Sequence, residues 1–192
     1  AVAALAAGNA ALLADLSRLP GLAAGLITRA APLAERIGQD EAIRRITYLG
    51  SGPLYGLANE ATVKMKEMSL SLAEPYHFME FRHGPMSLVD REHLVVALLS
   101  EGMRDYELGV LDDLRERGAR LVVVGNRLEG LEGEFDAVLD LQADLPERAY
   151  PVLYLPFVQL LAYYRALGRG LNPDRPRNVV MSIRLDGSRL GS

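Results

Sequence analysis

Nearly continuous apolar runs of strand length recur along this chain at residues 46–49, 94–99, 120–124 and 137–141, with a shorter one near 75–78. Between them lie longer stretches, 54–71 and 104–117, in which apolar residues return every three or four positions, the period of a half-buried helix. A final helix is expected over 147–167. Pro151 and Pro156 each remove a backbone donor, so its start is placed near 147–151, with a kink or break around 156. Strands apolar on both faces and joined by helices indicate an α/β fold, with a parallel sheet covered on both sides. Ahead of the first strand, residues 10–19 and 22–37 read as two helices separated by Pro20-Gly21. The apolar face of this N-terminal arm has two possible partners, another helix or its own domain.

Residues 48–90 carry the candidate chemistry. After the apolar run at 46–49 comes Gly50-Ser51-Gly52-Pro53, a strand–turn–helix junction. Free backbone N–H groups at such a junction hold anions, and Ser51 either joins them or caps the helix. The turn lacks the full GxGxxG pattern and the Lys-Ser/Thr of a P-loop, so it reads equally as a plain tight turn between strand and helix. At about 100° per residue, Glu60, Lys64 and Glu67 fall within roughly 60° of one another on the following helix. Leu57, Ala61, Met65, Met68 and Leu72 form an apolar stripe about a quarter-turn away. The charged row is either a solvated ion-pair ladder or, at the margin of a packed face, a set that tunes one carboxylate toward general-base work. Lys66 points roughly 100° from Glu67 and reads as solvated. His93 reads as a surface or satisfied boundary residue ahead of its strand, and His77, Glu80 and His83 do not make a strong zinc pattern.

Composition narrows the possibilities. The 192 residues, 49% of them hydrophobic, suffice for one domain with a substantial core, and a net charge of −4 leaves no basic footprint for nucleic acid. Zero cysteines exclude disulfides, thiolate metal sites and a cysteine nucleophile within these residues. No stretch reaches the ~18 uninterrupted apolar residues of a membrane span, and the apolar start lacks the basic flank of a signal peptide, so a cytoplasmic location is expected.

Several separated motifs, in one order, resemble the sugar isomerase (SIS) domain family. They are the Leu49-Gly50-Ser51-Gly52 turn, the helix ending Lys64-Met65-Lys66-Glu67, the Ala73-Glu74 step, the Glu80-Phe81-Arg82-His83-Gly84-Pro85 corner, the segment 159–163 and the tail 172–178. The resemblance is strongest to the second SIS domain of isomerizing glutamine–fructose-6-phosphate aminotransferases and of related ketose/aldose isomerases and deaminases. It implies a three-layer αβα sandwich around a five-stranded, parallel, flavodoxin-like sheet. Residues 1–45 would be a helical arm or a linker from a preceding SIS half, and residues 46–192 the SIS domain. It implies a substrate, a sugar phosphate of the fructose-6-phosphate/glucosamine-6-phosphate class, and no cofactor or metal. Glu67 matches the family's carboxylate that shuttles a proton between C1 and C2. Glu60 and Lys64 match the residues that orient it and hold charge near it. His83 matches the histidine that assists ring opening and reaches a neighbouring subunit's site, which implies a homodimer. Gly50, Ser51 and Gly52 would contribute to substrate binding.

Two departures accompany the match. Met181 stands where the aminotransferase carries a lysine implicated in sugar binding and ring opening, and Arg184 is a poor replacement because its guanidinium stays protonated. The Ser/Thr-rich loops with which the family's first SIS half wraps the phosphate do not occur, so a fragment or an isolated half is expected. Alternatives from other classes are a non-catalytic sugar-phosphate-binding module of a regulator and a dimerisation domain whose site has decayed.

Overall fold

The computed structural model describes residues 2–177. A short helix, α1 (Val2–Ala6), precedes α2 (Ala10–Gly38), whose first turn is capped by the Asn9 side chain accepting from the Leu12 N–H at 3.0 Å. Then follow β1 (Arg45–Gly50), α3 (Pro53–Ser69), β2 (Leu72–Tyr76), the one-turn α4 (Phe78–Arg82), β3 (His93–Leu98), α5 (Arg104–Glu116), β4 (Arg120–Gly125), β5 (Ala137–Asp140) and α6 (Leu155–Gly168). The five strands are parallel in the order β2-β1-β3-β4-β5.

Alternation along the strands splits the core in two. On one face Ile46, Tyr48, Leu94, Val96 and Val122 meet α2, α3 and α6; on the other, Leu49, Val95, Ala97 and Val123 meet α4 and α5. This is the αβα sandwich the resemblance implied, with a helical arm folded onto one face.

Three boundaries differ from the sequence reading. The arm is one 29-residue helix running through both Pro20 and Pro32. Both prolines face solvent, where water can satisfy the carbonyls they leave unpaired. Tertiary contacts hold the helix on either side of them: Leu26, Ala30 and Ala34 are fully buried, and Arg18 and Arg29 donate to carbonyls of Asp144 and Asp140. By length and composition α2 is also apolar enough to cross a membrane. The apolar stripe of α3 stops before Leu72, because Leu70 adopts a left-handed conformation (φ 54°) that ends the helix. Leu72 instead opens the edge strand β2 and is 73% exposed. The final helix begins at Leu155 rather than near 147–151. Two 3₁₀ turns, Glu147–Ala149 and Pro151–Tyr154, lead into it, and Pro156 sits in its first turn, where a missing N–H costs nothing.

Candidate active site

The β1–α3 junction requires glycine at two positions for different reasons. A Cβ on Gly50 would lie 2.5 Å from the Leu54 carbonyl oxygen, so strand and helix approach this closely only without a side chain. Gly52 has φ 52° and ψ −126°, a conformation that side chains disfavour, and it turns the chain into Pro53 at the start of α3. This fixes the position and pitch of everything α3 carries.

On α3 the Lys64 ammonium lies 3.7 Å from Glu60 Oε1 and 3.3 Å from Glu67 Oε2. The hydrogen bond to Glu67 is the chief reason the Lys64 pKa is raised, so the ammonium stays charged. The three side chains are a third to somewhat under a half exposed, at the margin between solvent and the packed face. The row is thus assembled within one helix, with its carboxylates open to a molecule approaching from outside.

The glycine turn is not part of that assembly. Glu67 is fourteen residues beyond Pro53, about 21 Å along a helix axis at 1.5 Å per residue. The turn lies at the carboxyl ends of the strands, and Glu67 lies toward their amino ends. Between the loops after β1 and β3 is a cleft of about 360 Å³, lined by Ser51, Gly52, Ser100, Gly102, Glu147 and Arg148. Connections leave β1 and β3 in opposite directions here, the switch point at which ligands of open α/β sheets gather. The Ser100 and Glu101 donors of the β3 loop are already engaged. Ser100 donates its N–H to Glu107 Oε2 at 2.8 Å and its hydroxyl to Oε1 at 2.9 Å, while the Glu101 N–H donates to Glu147 Oε1 at 2.9 Å. Glu107 is 1% exposed; burial pushes its pKa up against the opposing pull of Ser51 and Ser100. Sequence reading missed Ser100 and Glu107, although Ser100 directly follows the apolar run at 94–99, where strand-end site residues belong.

His83 caps the C-terminal end of α4 and is exposed. Phe78 and Phe81 anchor α4 beneath it, on the sheet face opposite α3, and Arg82 pairs with Asp113 of α5 at 2.7 Å. Among the described residues no hydrogen bond or ion pair joins His83 to the Glu60–Lys64–Glu67 row. His77 stacks on Tyr55, with ring centroids 4.0 Å apart. Among the described residues no group of three or more His, Asp or Glu side chains is arranged to hold a metal ion. Met181 and Arg184 lie outside the described residues.

A parallel sheet of this order, with helices on both faces, defines a flavodoxin-like α/β domain, and its first crossover helix carries the charged row. The SIS domain family matches residues 42–167, and the chain belongs to that family. Similar sequences include isomerizing glutamine–fructose-6-phosphate aminotransferases from Gloeobacter violaceus (35% identical over 179 residues) and Sulfurisphaera tokodaii (30% over 175). In both cases the match covers 91% of this chain but 29% of the relative, so the chain spans less than a third of those proteins. Similar structures include the C-terminal domain of the Francisella tularensis glucosamine–fructose-6-phosphate aminotransferase (TM-score 0.73, 30% identity, 85% of this chain and 45% of that one). A glucosamine-6-phosphate deaminase from Thermotoga maritima (TM-score 0.72, 28% identity, 88% and 49%) is also similar. So is the Escherichia coli tagatose-6-phosphate ketose/aldose isomerase (TM-score 0.72, 27% identity, 88% and 46%).

Proposed function

We propose that this chain is the base-bearing SIS domain of a phosphosugar isomerase, of the kind found in isomerizing glutamine–fructose-6-phosphate aminotransferases. The observation that carries the reading is Lys64 held between Glu60 and Glu67 on one helix face. Aldose–ketose interconversion moves a hydrogen between C1 and C2 of the open-chain sugar through an enediol. One carboxylate suffices if it takes the proton from one carbon and returns it to the next. Glu67 is that base. Lys64 and Glu60 fix its orientation, and the ammonium offsets negative charge as the enediol forms. His83, displayed on the opposite face, assists ring opening in a neighbouring subunit's site. Gly50, Ser51 and Gly52 serve the site by setting where α3 starts, and hence where Glu67 lies. The proposed setting is a cytoplasmic homodimer acting on a sugar phosphate of the fructose-6-phosphate/glucosamine-6-phosphate class, with no cofactor, metal, nucleic acid or membrane. The competing reading, a non-catalytic sugar-phosphate-binding module or dimerisation domain, is favoured by Met181 alone.

The test is Glu67→Gln in the full-length protein. The amide keeps the side chain's shape, so fold and sugar-phosphate affinity should persist while turnover falls by something on the order of 10²–10⁴. Exchange of the substrate's C2 hydrogen with solvent deuterium reports the step directly. Wild-type exchange in the variant would reassign the base, to Glu60 first.

A further inference from the structure

The cleft between the loops after β1 and β3 lies where open α/β sheets gather ligands, yet the Ser100 donors beside it turn inward to a buried carboxylate. That carboxylate belongs to Glu107, in the first turn of α5. The Ser100 N–H donates to Glu107 Oε2 at 2.8 Å and the Ser100 hydroxyl to Oε1 at 2.9 Å, while the Ser100 oxygen accepts from the Met103 N–H at 3.1 Å. From the β1–α3 turn the Ser51 side chain also favours the ionised carboxylate, as does the positive charge of Arg104. The two loops therefore converge on one anion.

An ionised carboxylate only accepts, so hydroxyl and backbone donors gathered around one beside a cation have the composition of an oxyanion site. Here the anion is a side chain of the chain itself. Glu107 is 1% exposed, and burying a carboxylate is costly unless donors meet it. An apolar residue at this position would avoid that cost and leave Ser51 and Ser100 free to face the cleft. A second carboxylate repeats the arrangement at the lining: Glu147 Oε1 accepts from the Glu101 N–H at 2.9 Å. The N–H groups of Ser100 and Glu101 are thus both held by carboxylates of the chain.

We propose that Glu107 is the resident occupant of a small-oxyanion site: its carboxylate takes the Ser51 and Ser100 donors that would otherwise hold a ligand's anionic group, and so bars anions from the cleft. Glu107 and Glu147 together also outweigh the charge of Arg148 at the lining. This inference is independent of the isomerase reading, because its readout is anion binding rather than turnover. The probe is formate, the smallest carboxylate, titrated into the full chain carrying Glu107→Ala, which vacates the space a carboxylate occupied. Formate should raise the melting temperature of that variant by roughly 3–6 °C at tenfold excess over its dissociation constant, and should shift the Ser100 amide resonance saturably. Sodium chloride at the same ionic strength should do neither. The parent protein and Glu107→Gln, whose amide fills the space, should show no saturable response. Adding Ser100→Ala to Glu107→Ala removes one donor and should weaken formate about tenfold. A Glu107→Ala protein that formate neither refolds nor stabilises, an equal response to chloride, undiminished affinity after Ser100→Ala, or saturable formate binding by the parent or by Glu107→Gln would overturn the proposal and leave Glu107 as a cap of the β3 loop alone.

Discussion

Gly50→Ala tests whether α3 is seated as tightly as the structure shows. The added methyl would lie 2.5 Å from the Leu54 oxygen, 2.6 Å from the Leu54 carbonyl carbon and 2.9 Å from the Tyr55 nitrogen. All three are backbone atoms in the first turn of α3, so no side chain can rotate away, and the helix must retreat by roughly 1 Å to restore ordinary contact. Overpacking of this kind costs about 1–3 kcal/mol, and the upper end applies where only backbone can yield. For a chain of this length each kcal/mol lowers the melting temperature by about 2–4 °C, so a fall of roughly 5–10 °C is expected. Gly56→Ala is the internal control. It lies within α3 with nothing within 4 Å of the added methyl, so the same substitution should stabilise by about 0.5–1 kcal/mol. Opposite signs six residues apart, measured by thermal and urea unfolding, would confirm the seating. A Gly50→Ala protein melting at or above the parent temperature would refute it. If Glu67 is the base, a 1 Å shift of its helix should also lower turnover by about 10²-fold in Gly50→Ala and leave Gly56→Ala unaffected.

Arg165→Met should cost about 1–3 kcal/mol in urea unfolding, because the buried guanidinium donates to the carbonyls of Ile43 at 2.5 Å and Asp40 at 2.7 Å, and without it the Asp40 carbonyl keeps only the longer bond from the Ile43 N–H at 3.3 Å. A loss below about 1 kcal/mol would show that water replaces it. His93 gives a pH signature. Burial lowers its folded pKa, so the unfolded chain binds the proton more readily, and the stability contributed by the neutral ring is present above the unfolded value near 6.5 and lost as pH falls toward the folded pKa. The melting temperature should therefore drop on acidification below about pH 6.5, and His93→Gln should flatten that slope; an unchanged slope would assign it to other groups.

The central strands were legible because β3 and β4 are buried on both faces and so appear as unbroken apolar runs. The edge strand β2 was legible only as a short run near 75–78, three residues late, because Leu72 and Glu74 face outward, Pro75 demotes the segment, and its start depends on the left-handed turn at Leu70. Pro20-Gly21 argued for two helices in the arm, and packing of α2 against α6 outweighed the break. The Glu60–Lys64–Glu67 row could be read from spacing alone, since helical neighbours are set by residue count. The capture of Ser100 by Glu107 and the burial of His93 could not, because each depends on how a loop and a helix close over the sheet.

Charge decides what each end of α3 is suited to hold. Glu60, Lys64 and Glu67 sum to one net negative charge, and the ammonium is already shared between the two carboxylates. A phosphate dianion brought there would meet uncompensated like charge, whereas a carbon acid losing a proton would meet a base beside a cation. At the other end, the Ser100 donors that could grip phosphate are spent on Glu107, and Glu147 takes the Glu101 N–H. A six-carbon sugar phosphate is no longer than three extended residues, roughly 10 Å, so it cannot span from Glu67 to the Gly52 turn. On the proposed reading the row is matched to the carbonyl end of a sugar, and the phosphate is gripped by groups outside both sites, such as a second SIS domain facing α3. In such a division of labour, replacing Glu67 abolishes chemistry without loosening the substrate, which is why turnover and affinity should separate in the Glu67→Gln protein.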